Sequence, residues 1–152
     1  MYKTIIISIL IILFLGGMIW WSKNLENNNP DIISTNGLHL HPILDIYVKG
    51  EKVAIPPNIG IGFKYSSFPT YDKSMSMTAI HTHDDVNQGI IHLEFSGKVG
   101  KQDTKLSNFF EIWGQNMNAF GDNVKMTVNG KDTPELGDYL MKDGDKIELR
   151  YE

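Results

Sequence analysis

The histidines are the residues of this chain whose types and spacing suggest chemistry. All five of its histidines fall within three short segments of the 152-residue sequence. His39 and His41 form one His-x-His pair, His81 and His83 form a second, and His92 stands alone. Alternate residues of an extended segment point to the same side, so each pair can present two imidazoles to one ion. Two pairs would supply four nitrogen ligands, a set that suits Cu(II), Zn(II), Ni(II) or Fe(II).

Residues beside the histidines widen the candidate site. Asp84 follows the second pair and is a candidate ligand, an acceptor that orients an imidazole, or a turn residue. His92 alternates with apolar neighbours, which makes it either a ligand or a hydrogen-bonded histidine at the edge of the core. Met75 and Met77 precede the second pair; thioethers favour Cu(I), although methionine is also a common core residue. The predicted metal ligands are His39, His41, His81 and His83, with His92 and Asp84 as outer candidates.

Composition and missing motifs exclude several classes of function. The chain has no cysteine, which rules out disulfides, thiolate metal sites, iron–sulfur clusters and lipid-modified cysteines. Its net charge of -4, without a basic block, argues against nucleic-acid binding. The sequence contains no HExxH, GxSxG or phosphate-loop motif, so an enzyme using a histidine-bound metal would have only Glu94 and Asp84 as candidate bases.

The N-terminus predicts a transmembrane anchor at residues 1–21. Residues 4–21 carry no charge, and a helix of that length comes close to spanning the roughly 30 Å hydrocarbon core. Trp20 and Trp21 end the run, as interfacial aromatic residues do. The alternative is a cleaved signal peptide, whose apolar region is typically only about 7–15 residues and ends in small residues. Lys3 and Lys23 nearly balance the positive-inside rule, and we expect the domain to lie on the extracytoplasmic side.

Residues 22–36 are polar, rich in asparagine and interrupted by Pro30, which predicts a linker. Residues 37–152 are then predicted to form a soluble α+β domain, with one helix packed on a mixed sheet. The helix is predicted over 104–119, where apolar residues recur at helical spacing, and Gly121 is expected to close it. An insertion at 58–79 is expected to hold one or two short strands. The predicted strands are 43–48 and 53–55, which form a hairpin, and 89–97, 124–128 and 147–151.

Two resemblances add to this reading. The chain resembles a family of largely uncharacterised, membrane-anchored or exported domains of archaea and bacteria. The motifs that carry the resemblance are HLHPILDI at 39–46, Ile55-Pro56, NIGI at 58–61, HTHD at 81–84, GIIHLE at 89–94 and FFEIWG at 109–114. It implies that the three histidine segments form one unit, but it implies no activity. In this chain four residues, 85–88, separate HTHD from Gly89, where the family pattern has about two.

The C-terminal thirty or so residues resemble the end of β-grasp (ubiquitin-like) domains, especially small sulfur carriers. The pattern is Val-Asn-Gly, then Leu140, then Asp-Gly-Asp-Lys-Ile-Glu-Leu. Sulfur carriers end in Gly-Gly and this sequence ends in Tyr151-Glu152, so that activity is not implied. The resemblance therefore predicts a β-grasp-like fold and nothing about chemistry.

Three functions are compatible with these observations. The first is a membrane-anchored, extracytoplasmic metal-binding protein that carries or delivers an ion, with copper favoured over zinc because Cu(II) has the highest affinity of the divalent series for nitrogen sites. The second is an accessory subunit that packs on a larger membrane complex and uses its histidines structurally. The third is an enzyme with a histidine-bound metal. In each case the lipid bilayer is a predicted partner.

Overall fold

The computed structural model of the chain describes residues 2–27, 29–74 and 76–152. The chain divides into two compact units, Met1–Ile33 and Ser34–Glu152. Helix α1 (Tyr2–Asn27) dominates the first unit. Its segment Tyr2–Leu25 has a mean hydropathy of 2.4 and is long and apolar enough to cross a membrane, a test that a signal sequence also passes.

Helix α1 continues past Trp21, where the anchor was predicted to end, into the region predicted as a linker. Residues 22–27 contain neither proline nor glycine, so nothing in them interrupts helical hydrogen bonding. Pro30, which follows, disfavours further helix in the residue before it. The predicted linker is therefore partly helical, and strand β1 (Ile32–Ser34) lies near its end.

Among its described residues, the second unit consists mainly of short strands, short 3₁₀ turns and one α-helix, α2 (Leu106–Trp113). Its strands, in chain order after β1, are β2 (Leu38–Leu40), β3 (Ile43–Val48), β4 (Glu51–Val53), β5 (Thr70–Asp72), β6 (Met77–Thr78), β7 (Ile80–His81), β8 (His92–Phe95), β9 (Val99–Gly100), β10 (Val124–Val128), β11 (Lys131–Asp132) and β12 (Lys146–Tyr151). The predicted α+β class is confirmed.

A five-stranded mixed sheet, in the order β11-β10-β12-β3-β4, forms the base of this unit. Strands β3 and β12 are parallel neighbours, and the other pairs are antiparallel. Lys49 and Gly50 join β3 to β4 with φ of 51° and 89°, as a type I′ turn requires. Asn129 and Gly130 join β10 to β11 in the same way, with φ of 53° and 77°. The hairpin predicted from strands 43–48 and 53–55 is observed, although its second strand is Glu51–Val53. Strand β11 of the other hairpin was not predicted.

Helix α2 packs its apolar side into the core, but it is shorter than the predicted 104–119. Gly114 adopts a left-handed φ of 77°, its N–H donates to the Glu111 carbonyl, and the Gln115 N–H donates to the Phe110 carbonyl. This pair of bonds ends the helix at Trp113, because glycine takes the left-handed conformation without a Cβ penalty. The prediction that Gly121 closes the helix is therefore wrong. Thr104, predicted at the helix start, lies instead in a preceding 3₁₀ turn.

A three-stranded antiparallel sheet, in the order β2-β8-β7, carries the histidines. One face of it joins the core through Leu93 and Ile80, which are 0% and 3% exposed. The predicted strand 89–97 is observed only at its centre, as β8. The predicted insertion contains two short strands, β5 and β6, as expected.

Candidate metal centre

The register of the three-stranded sheet places histidines from separate segments on one face. His39 lies opposite Glu94, and His81 lies opposite His92. Because alternate residues of β8 face opposite sides, His92 and Glu94 share the face turned away from buried Leu93. Cross-strand partners point to the same side, so His39 and His81 join that face. Hydrophobic alternation therefore turns the histidine face away from the core.

His41 and His83 follow the ends of β2 and β7 and complete the set. Ring centroids are 4.7 Å apart for His39–His41 and 4.8 Å apart for His41–His92. They are 4.9 Å apart for His83–His92 and 4.8 Å apart for His81–His83. All five histidines of the chain thus form one continuous group.

Two sets of ligand atoms within this group could hold a metal ion. The outer cluster consists of His39, His41, His92 and Glu94; the inner cluster consists of His81, His83 and His92. Within each cluster, one ligand atom from every member lies within 4.8 Å of the others.

His81 is the most buried member, with 0% of its surface exposed. Its Nδ1 lies 2.9 Å from the Thr78 carbonyl oxygen, which can only accept a hydrogen bond, so Nδ1 carries the proton and donates. The lone pair of the neutral ring is then on Nε2, which is buried and has no hydrogen-bond partner among the described residues. Burial lowers the pKa of His81 from 6.5 to about 4, despite the opposing effect of the bond to Thr78. His81 is therefore a neutral imidazole with a fixed, unpaired acceptor.

The segment around Gly60 holds the inner cluster in place. The Thr78 N–H donates to the Gly60 carbonyl, and the Thr82 N–H donates to the Ile59 carbonyl. Thr82 Oγ1 accepts from the Ile59 N–H at 3.0 Å. A Cβ on Gly60 would lie 2.5 Å from the Ile80 carbonyl oxygen and 3.0 Å from the His81 Cβ, and φ here is +77°. Only glycine fits so close to the strand that carries His81.

The outer cluster is more open to solvent. The side chains of His39 and His41 are 59% and 44% exposed, whereas that of Glu94 is 14% exposed. His39 Nε2 lies 2.9 Å from Glu94 Oε1. The His41 backbone N–H donates to Asp143 Oδ1 at 2.8 Å, which ties the end of β2 to the loop before β12. Carboxylates on both sides of this cluster favour a cation there.

Asp85 holds the ring of His92. The Nε2 atom of His92 lies 3.0 and 3.2 Å from the two carboxylate oxygens of Asp85. Asp85 lies in a 3₁₀ turn, Asp84–Gln88, which includes all four residues between HTHD and Gly89. Val86 is buried, and Gly89 ends the turn with φ of 81°, its carbonyl accepting from the Leu44 N–H. The turn is therefore anchored to the core and to β3 while it presents Asp85 to His92.

The structure thus brings together the five histidines predicted as ligands or candidates. It does not bring Asp84 into either cluster: this exposed residue lines a separate cavity of about 420 Å³ with Lys52 and Ile55. Asp84 as a ligand stays a prediction. Met77 is buried in strand β6, and Met75 lies outside the described residues.

Sequence reasoning missed two carboxylates of the site and gave a third another role. Asp85 was noted only within the segment 85–88 that separates HTHD from Gly89, and Asp143 was not considered because it lies 102 residues from His41. Glu94 was considered as a base, whereas it contacts His39 and belongs to the outer cluster. The alternation His92-x-Glu94 was the available signal, since it places both residues on one face.

Comparisons of the chain with protein-family models, with curated proteins and with solved structures found no significant match.

Proposed function

We propose that this chain is a membrane-anchored, extracytoplasmic protein that binds a transition-metal ion and holds it for carriage or delivery. The observation that carries the proposal is the assembly of all five histidines into one group that contains a buried nitrogen, His81 Nε2, with no hydrogen-bond partner among the described residues. The residues come from three segments of the chain, and only folding brings them together. That arrangement is typical of a metal site.

The cost of the unpaired nitrogen supports a ligand at this position. A buried acceptor without a partner destabilises a fold by about 1–3 kcal/mol, and such groups are uncommon in native proteins. Metal-binding histidines typically donate their other ring N–H to a carbonyl or carboxylate, which fixes the tautomer. His81 does this with Thr78, and His92 does it with Asp85. An ion at Nε2 of His81 would satisfy the unpaired lone pair.

The donor set favours copper over zinc. Nitrogen-rich sites bind Cu(II) most tightly among the divalent first-row ions, and imidazole also suits Zn(II). The clusters contain imidazoles with one carboxylate, and the chain has no thiolate to draw the preference toward zinc. A copper role for Met75 or Met77 is a separate part of the proposal, and burial of Met77 favours its packing role.

Binding is favoured over catalysis by the positions of the carboxylates. An enzyme would need an open coordination position and a base beside it. Glu94 lies 2.9 Å from His39, Asp85 contacts His92, and Asp84 lies outside both clusters. These positions support Glu94 as a ligand, Asp85 as the group that orients His92, and Asp84 as a surface residue.

The proposed location rests on α1, and the finer fold assignment rests on the sheet. The apolar helix would act as a retained anchor, with Ser34–Glu152 on the extracytoplasmic side.

We also infer that this unit is β-grasp-like. Its support is the hairpin β3–β4, the single packed helix α2 and the parallel pair β3–β12 at the centre of a mixed sheet.

Metal counting tests the proposal. Full-length protein is prepared in detergent without a histidine tag, stripped with chelator, equilibrated with Cu²⁺ or Zn²⁺, desalted and measured by elemental analysis. The variant pair is His81→Asn with His83→Ala; asparagine places an amide near the Nδ1 position and can keep the bond to Thr78. Lys131→Ala, on exposed edge strand β11, is the control.

Wild type and the control should retain copper in a fixed ratio to protein, and the double variant, which keeps only the outer cluster, should retain less. Equal metal retention in all three proteins would contradict the inner cluster as the retaining site. No copper retention by wild type would favour the accessory-subunit function.

A further inference from the structure

His92 belongs to both clusters, but it can serve only one ion at a time. One of its ligand atoms lies within 4.8 Å of those of His39, His41 and Glu94, and the same holds for His81 and His83. A neutral imidazole has one protonated nitrogen and one lone pair. Occupation of the outer cluster through His92 therefore deprives the inner cluster of its third nitrogen, and the reverse is also true.

Asp85 decides which nitrogen of His92 carries the lone pair. A carboxylate only accepts hydrogen bonds, so its contacts of 3.0 and 3.2 Å place the ring proton on Nε2. The lone pair is then on Nδ1, which lies 3.8 Å from Glu94 Oε1. That oxygen is the one His39 contacts at 2.9 Å. With Asp85 in place, His92 is thus prepared as a ligand of the outer cluster.

The two clusters differ in their access to solvent. The side chains of His39 and His41 are 59% and 44% exposed, whereas His81 is 0% exposed. The side chain of His92 is 12% exposed, a value between those of His81 and of the two outer histidines. An ion arriving from solvent meets the outer cluster first, and an ion at His81 is shielded from competing ligands.

Two features of the inner cluster favour binding of the ion there. His81 Nε2 is buried and has no hydrogen-bond partner in the part of the chain that the structure describes, and His81 is already oriented by Thr78. His83 is close, with its ring 4.8 Å from that of His81. His92 can supply the third nitrogen of this cluster. Because Asp85 holds Nε2, that atom can bind an ion only after it loses its proton and its contact with Asp85.

Building on the proposed function, we propose that His92 is a shared ligand that passes a divalent transition-metal ion from the outer to the inner cluster, under the control of Asp85. The bond from the ion to His92 Nδ1 breaks, and bonds to His92 Nε2, His81 Nε2 and His83 form. Nε2 releases its proton to solvent and Nδ1 takes one up, so the ring remains neutral. The ion keeps its charge, and no oxidant or reductant is needed. The exposed cluster captures the ion and the buried cluster retains it.

A timed chelator challenge tests the transfer. Full-length, chelator-treated protein in detergent is mixed with Cu²⁺ and, after increasing delays, with excess EDTA; copper still bound is then counted. We expect bound copper to be removable at first and to become EDTA-resistant at a rate that does not depend on copper concentration. The double variant His39→Ala, His41→Ala should capture slowly. His81→Asn should capture normally and never become resistant.

Asp85 and Asp84 supply a matched pair of variants. Asp85→Asn removes the charge that holds the Nε2 proton, so it should weaken the initial capture about 10- to 100-fold, as loss of an orienting partner does, and speed the conversion to the resistant state. Asp84→Asn removes the same charge one residue away and should behave as wild type.

Three results would overturn the transfer. The first is identical behaviour of the two aspartate variants, and the second is two coppers bound per chain at saturation. The third is a single phase in which all bound copper resists EDTA from the earliest delay. Each of them leaves the proposed function standing. Absence of any copper binding by wild type would overturn the proposed function as well.

Discussion

Acidification should destabilise the metal-free protein through His81. In the folded chain the pKa of His81 is about 4, mainly because burial disfavours the charged ring. In the unfolded chain the same ring titrates near its ordinary value of roughly 6.5. Between these values the unfolded state binds a proton that the folded state does not, so lowering the pH favours unfolding.

The size of the effect follows from the gap between the two pKa values. A gap of roughly 2.5 units corresponds to a loss of about 3 kcal/mol, at about 1.36 kcal/mol per unit. The loss begins as the pH falls through about 6.5 and is complete below about 4. For a unit of this size, about 3 kcal/mol lowers the melting temperature by roughly 12 °C. His81 is fully buried, so solvent screening reduces this value little.

Thermal melts of full-length protein in detergent and chelator, from pH 7 to pH 4, measure the effect. Near-ultraviolet circular dichroism is a suitable signal because it reports the packing of aromatic rings. Other groups titrate in the same range, so the quantity of interest is the difference between wild type and His81→Asn, which has no ionisable group at this position. Melting temperatures that fall equally in both proteins would refute the reasoning about His81.

Three further predictions concern the core, the anchor and the support of the inner cluster. Phe110→Ala should destabilise the domain by about 3–5 kcal/mol, because the ring is 1% exposed and packs 5.9 Å from Phe109; an unchanged thermal melt would contradict this. Full-length protein should sediment with membranes while a chain starting at Ser34 stays in the supernatant; mature protein cut near residue 21 and free in solution would show a signal peptide instead. Gly60→Ala should cost at least about 2 kcal/mol, from a left-handed φ and a close approach to the Ile80 carbonyl. It should also reduce copper retention, and a variant with wild-type stability and copper content would show that the segment at Gly60 does not position the cluster.

The sequence predicted some of the elements that depend on a few neighbouring residues. The β3–β4 hairpin was predicted, and its Lys49-Gly50 turn has the positive φ at both positions that a two-residue turn requires. The end of α2 was missed because the predicted helix, 104–119, continues through Gly114. Its left-handed conformation makes it the end of the helix. A glycine at that point permits either outcome, and packing of the following residues decides between them.

The part of the site that depends on strand alternation was predictable from the sequence. His-x-His pairs in extended segments do share a face, and the register β2-β8-β7 brings the pairs to His92. The roles of Asp85 and Asp143 were not predictable, because they depend on how a turn and a distant loop fold back onto the sheet. The sequence contains the acids but gives no periodic signal for which histidine each one meets.

The parallel pairing of β3 with β12 has a kinetic consequence. Ile43 pairs with Lys146, so the centre of the large sheet forms only after a loop of about a hundred residues closes. Folds with many such distant pairings cross their folding barrier slowly, because the entropy of closure is lost before the contacts compensate for it. His41 lies two residues before Ile43, and its backbone is tied to Asp143 in the loop before β12. A nascent or clipped chain that lacks the loop before β12 therefore lacks this tie at His41, and ion uptake by the proposed outer cluster would report whether folding has finished.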